Sequence, residues 1–176
     1  GEHVDAAKNL ARYLLRTKDY GITYQDSNRE VNVYVDADYA DCVDTRRSIT
    51  GMVIMMGGGA VSWLSKKQPC VSLSTMESEA MAARSAFCEV LALKADLSLI
   101  SPGLARKAFT VHEDNQSLIA VVNNVDGGRY EARKHIAIRV MFLREIAASG
   151  AVRMVYIKTE LQVADALTKA VPLDVF

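Results

Sequence analysis

The chain has 176 residues, half of them hydrophobic, with 21 basic and 21 acidic side chains and a net charge of zero. That length and apolar content predict one domain, with room for an appendage, and exclude disorder, while zero net charge excludes a fold-wide cationic field, so any nucleic-acid contact must be a local patch. The three cysteines (42, 70 and 88) form no C-x-x-C pair, which excludes a disulfide frame or zinc site and predicts a reducing compartment with the thiols as small apolar fillers; neither a signal peptide nor a bilayer-length apolar run is evident.

Val4, Ala7, Leu10, Ala11, Leu14 and Leu15 recur at three- and four-residue spacing, which predicts a helix over 2–17. A polar connector with a short strand at Ile22–Tyr24 follows. "VNVYVDADYAD" (31–41) alternates as a strand does, with Val31, Val33 and Val35 on one face and Asn32, Tyr34, Asp36 and Asp38 on the other. "ITGMVIMM" (49–56) and "AVSWLSKK" (60–67) are predicted strands around a "GGG" hairpin, with Trp63 expected in the core rather than exposed as a stacking platform. The short run 69–74 leads into a long helix, 75–97, capped by Ser74 or Thr75. Next come a strand (108–113), helices over 115–123 and 131–148, a strand (151–158) and a closing helix (160–171). Three hairpin-linked strands followed by crossover units make a mixed α/β sheet covered by helices.

Four acids stand out against this pattern. Asp36 lies near the end of an otherwise apolar strand. Glu79 shares a helical face with Ala82, Ala83, Ala86 and Val90, small residues that let a helix lie close to a sheet. Asp114 falls at a strand–helix junction, and Asp165 lies in the closing helix. Singly they are weak signals: Asp114 reads equally well as an N-cap, Glu79 more readily as a surface helix residue, Asp36 more readily as a strand-end or turn residue, and Asp165 carries no signal by itself. Together, carboxylates converging on one sheet are destabilising unless a cation binds them. Mg²⁺ suits such a set, because it is a hard ion held by a few carboxylates that keeps several waters. Glu77 is two residues from Glu79, hence about 200° away around the helix, and has a sufficient structural role in the first turn near the helix dipole. No phosphate-cradling Gly-x-x-x-x-Gly-Lys loop, His-Glu-x-x-His or Ser/His triad is present.

The segment "VYVDADYADCVDTRRSITGMVIMMGGGAVSWLSKKQPCVSLSTMESEAMAA" resembles the ribonuclease H domain of copia-type LTR retrotransposon Pol polyproteins. "EDNQSLIAVVNN" is similar to that family's Asp-Asn-Gln-Ser junction, "RKHIAIRVMFLRE" to its Lys-His-Ile helix, and "VYIKTELQVADALTKAV" to its closing Ala-Asp-x-Leu-Thr-Lys segment. "HVDAAKNLARYLLRTKDYGITY" is similar to the tail of the preceding reverse transcriptase connection. The resemblance implies residues 1–28 from that connection and a ribonuclease H domain over 29–176. The implied fold is an α/β, ribonuclease H-like one: a five-stranded mixed sheet, three antiparallel strands then two parallel, flanked by helices.

The implied function is an endonuclease that hydrolyses the RNA strand of RNA–DNA hybrids by a two-metal-ion mechanism during reverse transcription. Its cofactors are two Mg²⁺ ions, with Mn²⁺ as a substitute. Its partners are the hybrid and the reverse transcriptase of the same polyprotein, with no membrane. Its place is intracellular and cytoplasmic, within virus-like particles. By resemblance, the catalytic and metal-holding acids are Asp36, Glu79, Asp114 and Asp165. Asp36 bridges both metals, Glu79 and Asp114 hold the one nearer the leaving group, and Asp165 helps hold the one that activates water. Three departures stand out: His112-Glu113 before Asp114, Ala80 for an aromatic, and "KTELQ" (158–162) where relatives carry a loop histidine, which leaves Glu160 or solvent for that role. Candidate substrate cations are Arg46, Arg47, Lys66, Lys67, Arg133, Lys134 and Arg139, each equally readable as a solvated charge. Asn115 and Gln116 are candidate readers of RNA 2′-hydroxyls. Two rival classes remain: a degenerate ribonuclease H-fold module that supports the polymerase, and one that binds nucleic acid, or serves a host or effector role, without cutting.

Overall fold

The computed structural model describes residues 1–25, 30–124 and 134–171, the side chains of 134 and 135 excepted. Its centre is a sheet of β1 (Val31–Asp38), β2 (Ile49–Met56), β3 (Gly59–Lys67), β4 (Phe109–Glu113) and β5 (Val152–Tyr156). The strand order is β3-β2-β1-β4-β5. β1, β2 and β3 pair antiparallel, while β4 pairs parallel with β1 and with β5. This is the predicted mixed five-stranded sheet. Gly57 and Gly58 turn the β2–β3 hairpin with φ of 63° and 81°, a conformation that a Cβ disfavours and a two-residue hairpin requires.

One sheet face carries the core. Val31, Val33 and Val35 of β1, Met52 and Ile54 of β2, and Phe109 and Val111 of β4 are all buried there. Against them packs α2 (Thr75–Ile100), with Ala80, Ala83, Ala86, Phe87 and Val90 fully buried. The alanines hold the helix axis close to the strands, and Phe87 and Val90 fill the space beyond. Ser74 is its N-cap, accepting from the Glu77 amide. A short helix, α3 (Pro102–Ala105), turns the chain into β4. α4 (Gln116–Asn123) and α5 (Lys134–Ala148) extend this layer, with Leu118, Val122 and Leu143 buried. The part of the predicted 131–148 helix before Lys134 lies outside the described residues. The N-terminal helix α1 (Glu2–Arg16) forms as its periodicity predicts but buries none of its residues.

Several expectations need correction. Ile22–Tyr24 is not a strand; it is tied to the β2–β3 hairpin by a Gln25 amide bond to the Gly57 carbonyl and by Tyr24 Oη donating to the Ala60 carbonyl at 2.7 Å. Trp63 is 62% exposed, because β3 is an edge strand and its face opposite α2 has little to cover it. Cys70 and Cys88 are exposed and Cys42 half-buried, so the thiols do not fill the core. The closing helix is replaced by two 3₁₀ turns, Thr159–Leu161 and Val163–Leu167. Gln162, Asp165 and Thr168 are all buried and recur every three residues. Side chains at i and i+3 eclipse in a 3₁₀ helix, so that geometry lines all three up toward the sheet, where a 3.6-residue turn would fan them over about 120°.

This segment covers the second face of β1 and β2 at one end. Gly51 permits the approach: a Cβ there would lie 2.5 Å from Thr168 Cγ2 and 2.7 Å from the Ala164 carbonyl oxygen. Gly51→Ala should therefore force the closing segment off the sheet and cost about 1–3 kcal/mol, read as a lowered urea midpoint with unchanged slope.

Candidate active site

Parallel pairing of β1 with β4 sends both strands out at the same end of the sheet. Asp36 emerges there from β1, opposite Gly51 in register, and Asp114 follows the last residue of β4. Glu79, in the second turn of α2, is carried to the same end by the helix's close packing. Carboxylate oxygens of Asp36, Glu79 and Asp114 all lie within 4.8 Å of one another. Asp36 is 5% and Glu79 6% exposed, whereas Asp114 is half-buried. Asp114 is not the N-cap of α4. That position belongs to Asn115, whose Oδ1 accepts from the Leu118 amide at 3.0 Å. Asp114 is left free to face the other acids, its Oδ2 accepting from Thr159 Oγ1 at 2.9 Å.

Asp165 stands beside this trio rather than within it. Its Oδ2 is 2.8 Å from Lys169 Nζ, and Thr168, between them in sequence, donates its hydroxyl to Asp36 Oδ2. Gln162 braces the same segment, its Nε2 donating to the Val35 carbonyl at 3.0 Å.

The electrostatics follow from burial. Desolvation lifts Asp36 to about 6; the Thr168 hydroxyl opposes the rise, the charge of Asp165 adds to it, Lys169 opposes it, and Asp114 adds a little more. Desolvation, reinforced by Glu113, Asp36 and Asp114, pushes Glu79 far above the usual carboxylate range. Glu113 itself is fully buried, and its carboxyl is likewise pushed well up, by burial first. Glu79 Oε2, Glu113 Oε2 and Asp165 Oδ1 are buried with no hydrogen-bond partner. Unsatisfied buried oxygens in a set of hard carboxylate donors fit a divalent, oxygen-seeking cation such as Mg²⁺ or Mn²⁺.

The other sequence candidates are placed as follows. Arg46, Arg47, Lys66 and Lys67 are exposed, at the same sheet end as the acids, since Asp38 pairs with Ile49 and Ile49 with Lys67. Lys67 Nζ is 2.9 Å from Cys42 Sγ, and that contact, then Thr45, lowers the thiol to about 7. Gln116 is exposed. Arg139 lies 3.4 Å from Glu77. Arg133 and the Lys134 side chain lie outside the described residues. Glu77 is only 3% exposed and also accepts from the Leu73 amide at 2.9 Å, so it is a buried anchor of the helix start rather than a first-turn charge acting on the dipole alone. Glu113, Thr159, Gln162, Thr168 and Lys169 did not stand out as site residues in the sequence. Strand alternation through Phe109 and Val111 does place Glu113 on the core face, and Lys169 is four residues from Asp165.

No protein-family model matches the chain. It is 39% identical over 176 residues to the Retrovirus-related Pol polyprotein from transposon TNT 1-94 of Nicotiana tabacum, a match that covers 99% of this chain and 13% of that protein. It is 33% identical over 169 residues to the corresponding polyprotein from transposon RE1 of Arabidopsis thaliana, covering 96% of this chain and 11% of that one. The chain thus spans a small part of these relatives' length. Among solved structures it resembles LC11-RNase H1, a compost-derived protein crystallised in complex with an RNA/DNA hybrid, with a TM-score of 0.57 at 16% identity over 79% of this chain and 94% of that one.

Two outcomes follow for the acids. Glu79→Gln should leave the fold intact and, without divalent ions, raise stability by about 1–2 kcal/mol by removing a repelled carboxylate, whereas Glu77→Gln should cost about 1–3 kcal/mol by weakening the Leu73 bond and stranding Arg139; urea melts in EDTA distinguish them. Asp36 has an ordinary value of 3.8 when unfolded and about 6 when folded, so between these pH values the folded state binds more protons. Metal-free stability should therefore fall as pH rises from about 4 through 6, by up to about 3 kcal/mol from Asp36, and Glu79 extends the fall to higher pH. Denaturation midpoints in EDTA at pH 4.5, 6 and 7.5 check this, and a flat profile would contradict it.

Proposed function

We propose, for a chain that belongs to the copia-type retrotransposon Pol family and carries the ribonuclease H fold, that it hydrolyses the RNA strand of RNA–DNA hybrids. The observation that carries this reading is the meeting of Asp36, Glu79 and Asp114, from three separate elements, within 4.8 Å at one sheet end. Asp36, Glu79 and Asp114 would hold one divalent ion, and Asp36 with Asp165 a second. Two Mg²⁺ ions, or Mn²⁺ in their place, would when bound lower the pKa of the attacking water and stabilise the attacking and leaving oxygens of an in-line displacement.

The protein's own part is to hold these oxygens in place. Thr168 fixes the rotamer of Asp36, Thr159 that of Asp114, and Gln162 clamps the closing segment to the β1 backbone. Rigid support of this kind lets the acids keep their geometry when substrate arrives. The exposed Arg46, Arg47, Lys66 and Lys67 supply the local cationic patch that a neutral chain needs against phosphates. Asn115 offers its side-chain NH₂ beside the trio, because its Oδ1 is occupied by the Leu118 amide; that donor, with Gln116, suits an RNA 2′-hydroxyl. The bare apolar stripe of α1 fits the assignment of residues 1–28 to the reverse transcriptase side of the polyprotein, with 29–176 as the nuclease domain.

The test is incubation of the chain with a labelled hybrid in Mg²⁺, with and without EDTA. Cleavage of the RNA strand alone, leaving 3′-hydroxyl and 5′-phosphate ends, lost in EDTA and in Glu79→Gln, is the expected result. Equal cutting of single-stranded RNA, or full activity in EDTA, would overturn the reading. Tight hybrid binding without any cleavage in Mg²⁺ or Mn²⁺ would mark a module that binds without cutting.

A further inference from the structure

The fourth acid already has a cation, and it belongs to the chain. Asp165 Oδ2 is 2.8 Å from Lys169 Nζ, while its Oδ1 is buried without a partner. Asp165 is 8% exposed, so its charge is costly unless compensated. The Lys169 side chain is 41% exposed, reaching in from solvent and leaving an open path back to it. Its ammonium acts electrostatically on Asp36 and Asp38 as well as Asp165, and those acids raise its own pKa against the opposing effect of burial. Meanwhile Asp165 is absent from the trio whose oxygens lie within 4.8 Å. The Asp165 side of the site is thus neutralised by a tethered monovalent cation four residues away.

We propose that Lys169 is an internal counter-cation of the metal-free protein, one whose charge opposes the second divalent ion at Asp165 and which withdraws as that ion binds. Lys169 then sets the metal concentration at which the second ion is held, without weakening the ion held by the other three acids to a comparable degree. This rests on the metal-dependent reading above. Physically, a divalent ion taken up on the free Oδ1 would sit beside the ammonium held on Oδ2 of the same carboxylate, and repulsion between the two cations opposes filling of that site until Lys169 withdraws. The arrangement keeps Asp165 paired, and the closing turn folded, until metal arrives; with metal bound, the freed ammonium lies at the rim, where substrate phosphate would pass.

The experiment uses the intact chain, with Mn²⁺ for calorimetry and Mg²⁺ for NMR of ¹⁵N-lysine side chains. Wild type should show a tighter and a weaker ion. The Lys169 ammonium resonance should move with filling of the weaker site and not the tighter one. Lys169→Gln should tighten the weaker site about tenfold or more, change the tighter one less, and lower the melting temperature in EDTA. Lys169→Arg should restore wild-type values, and Lys18→Gln, an exposed lysine far along the chain from the acids, should move none of them. If two ions bind but the weaker affinity is unchanged in Lys169→Gln, or the ammonium resonance does not respond, Lys169 is only a surface partner of Asp165 and the proposal falls. If wild type binds no divalent ion, both this proposal and the metal-dependent reading fail, a result distinct from the former.

Discussion

Everything at the working end of this molecule depends on carboxylates being forced together out of water. The force is topological. Hydrophobic pairing of β1 with β4 as parallel neighbours fixes two strand exits side by side, and the alanine face of α2 brings a third acid over them. None of these elements can retreat without exposing Val33, Val35, Val111 or Phe87, all essentially inaccessible to solvent. The burial of such side chains is worth roughly 1.5–3 kcal/mol apiece, so the core holds the acids against their repulsion. The chain lightens the load locally, with a hydroxyl on Asp36, another on Asp114 and an ammonium on Asp165. Glu79 has no such side-chain partner, and burial, reinforced by the neighbouring carboxylates, drives it strongly toward its protonated form.

The two sheet faces are treated very differently. α2, α4 and α5 seal one. On the other, the closing segment covers the end that carries Asp36, and the row across the middle of the strands stays partly open. In that row Trp63 lies opposite Val53, Val53 opposite Tyr34, and Tyr34 beside His112. Tyr34 and His112 stack with centroids 4.6 Å apart, and His112 shares a hydrogen bond with Asn32. Burial, then the nearby Arg153 charge, lowers the His112 pKa, so the ring packs as a neutral, half-buried member of the sheet surface. This asymmetry explains why a residue that looked like core, Trp63, ended outside it.

What could be read from the sequence was what period and composition encode. The alternation of Val31, Val33 and Val35 gave the inward face of β1, and the spacing of Glu79 from Ala83, Ala86 and Val90 gave the register of α2. The four-acid set came from the family motifs, and the structure gathers Asp36, Glu79 and Asp114 of it within 4.8 Å, with Asp165 beside them. Three things were not legible. The 3₁₀ path of 159–167 is set by what Gln162 and Thr168 bind on β1, and tertiary partners override local propensity there. The exposure of Trp63 depends on β3 being an edge with nothing opposite. The burial of Glu77 depends on α5 supplying Arg139 from 62 residues away, a pairing no local pattern announces.

Glu113 shows how far the core tolerates the needs of the site. Its side chain sits where strand alternation demands an apolar residue, and one oxygen accepts from the Asn115 amide at 3.0 Å while the other has no partner. A charged Glu113 in that position would add to the field on Glu79, Asp36 and Asp114, and burial removes the solvent that would screen it. Protonation removes most of that conflict, which is the direction burial drives it. The Asn115 bond also joins Glu113 to the N-cap of α4, so the same carboxyl that crowds Glu79 steadies the turn that presents Asp114. A hydrophobic residue would pack better but would remove this partner from the half-buried Asn115 amide beside the acid trio, and an amide left wholly unpaired costs about 1–3 kcal/mol. The buried acid is therefore the less costly way to keep the β4–α4 turn in the shape that brings Asp114 to the others.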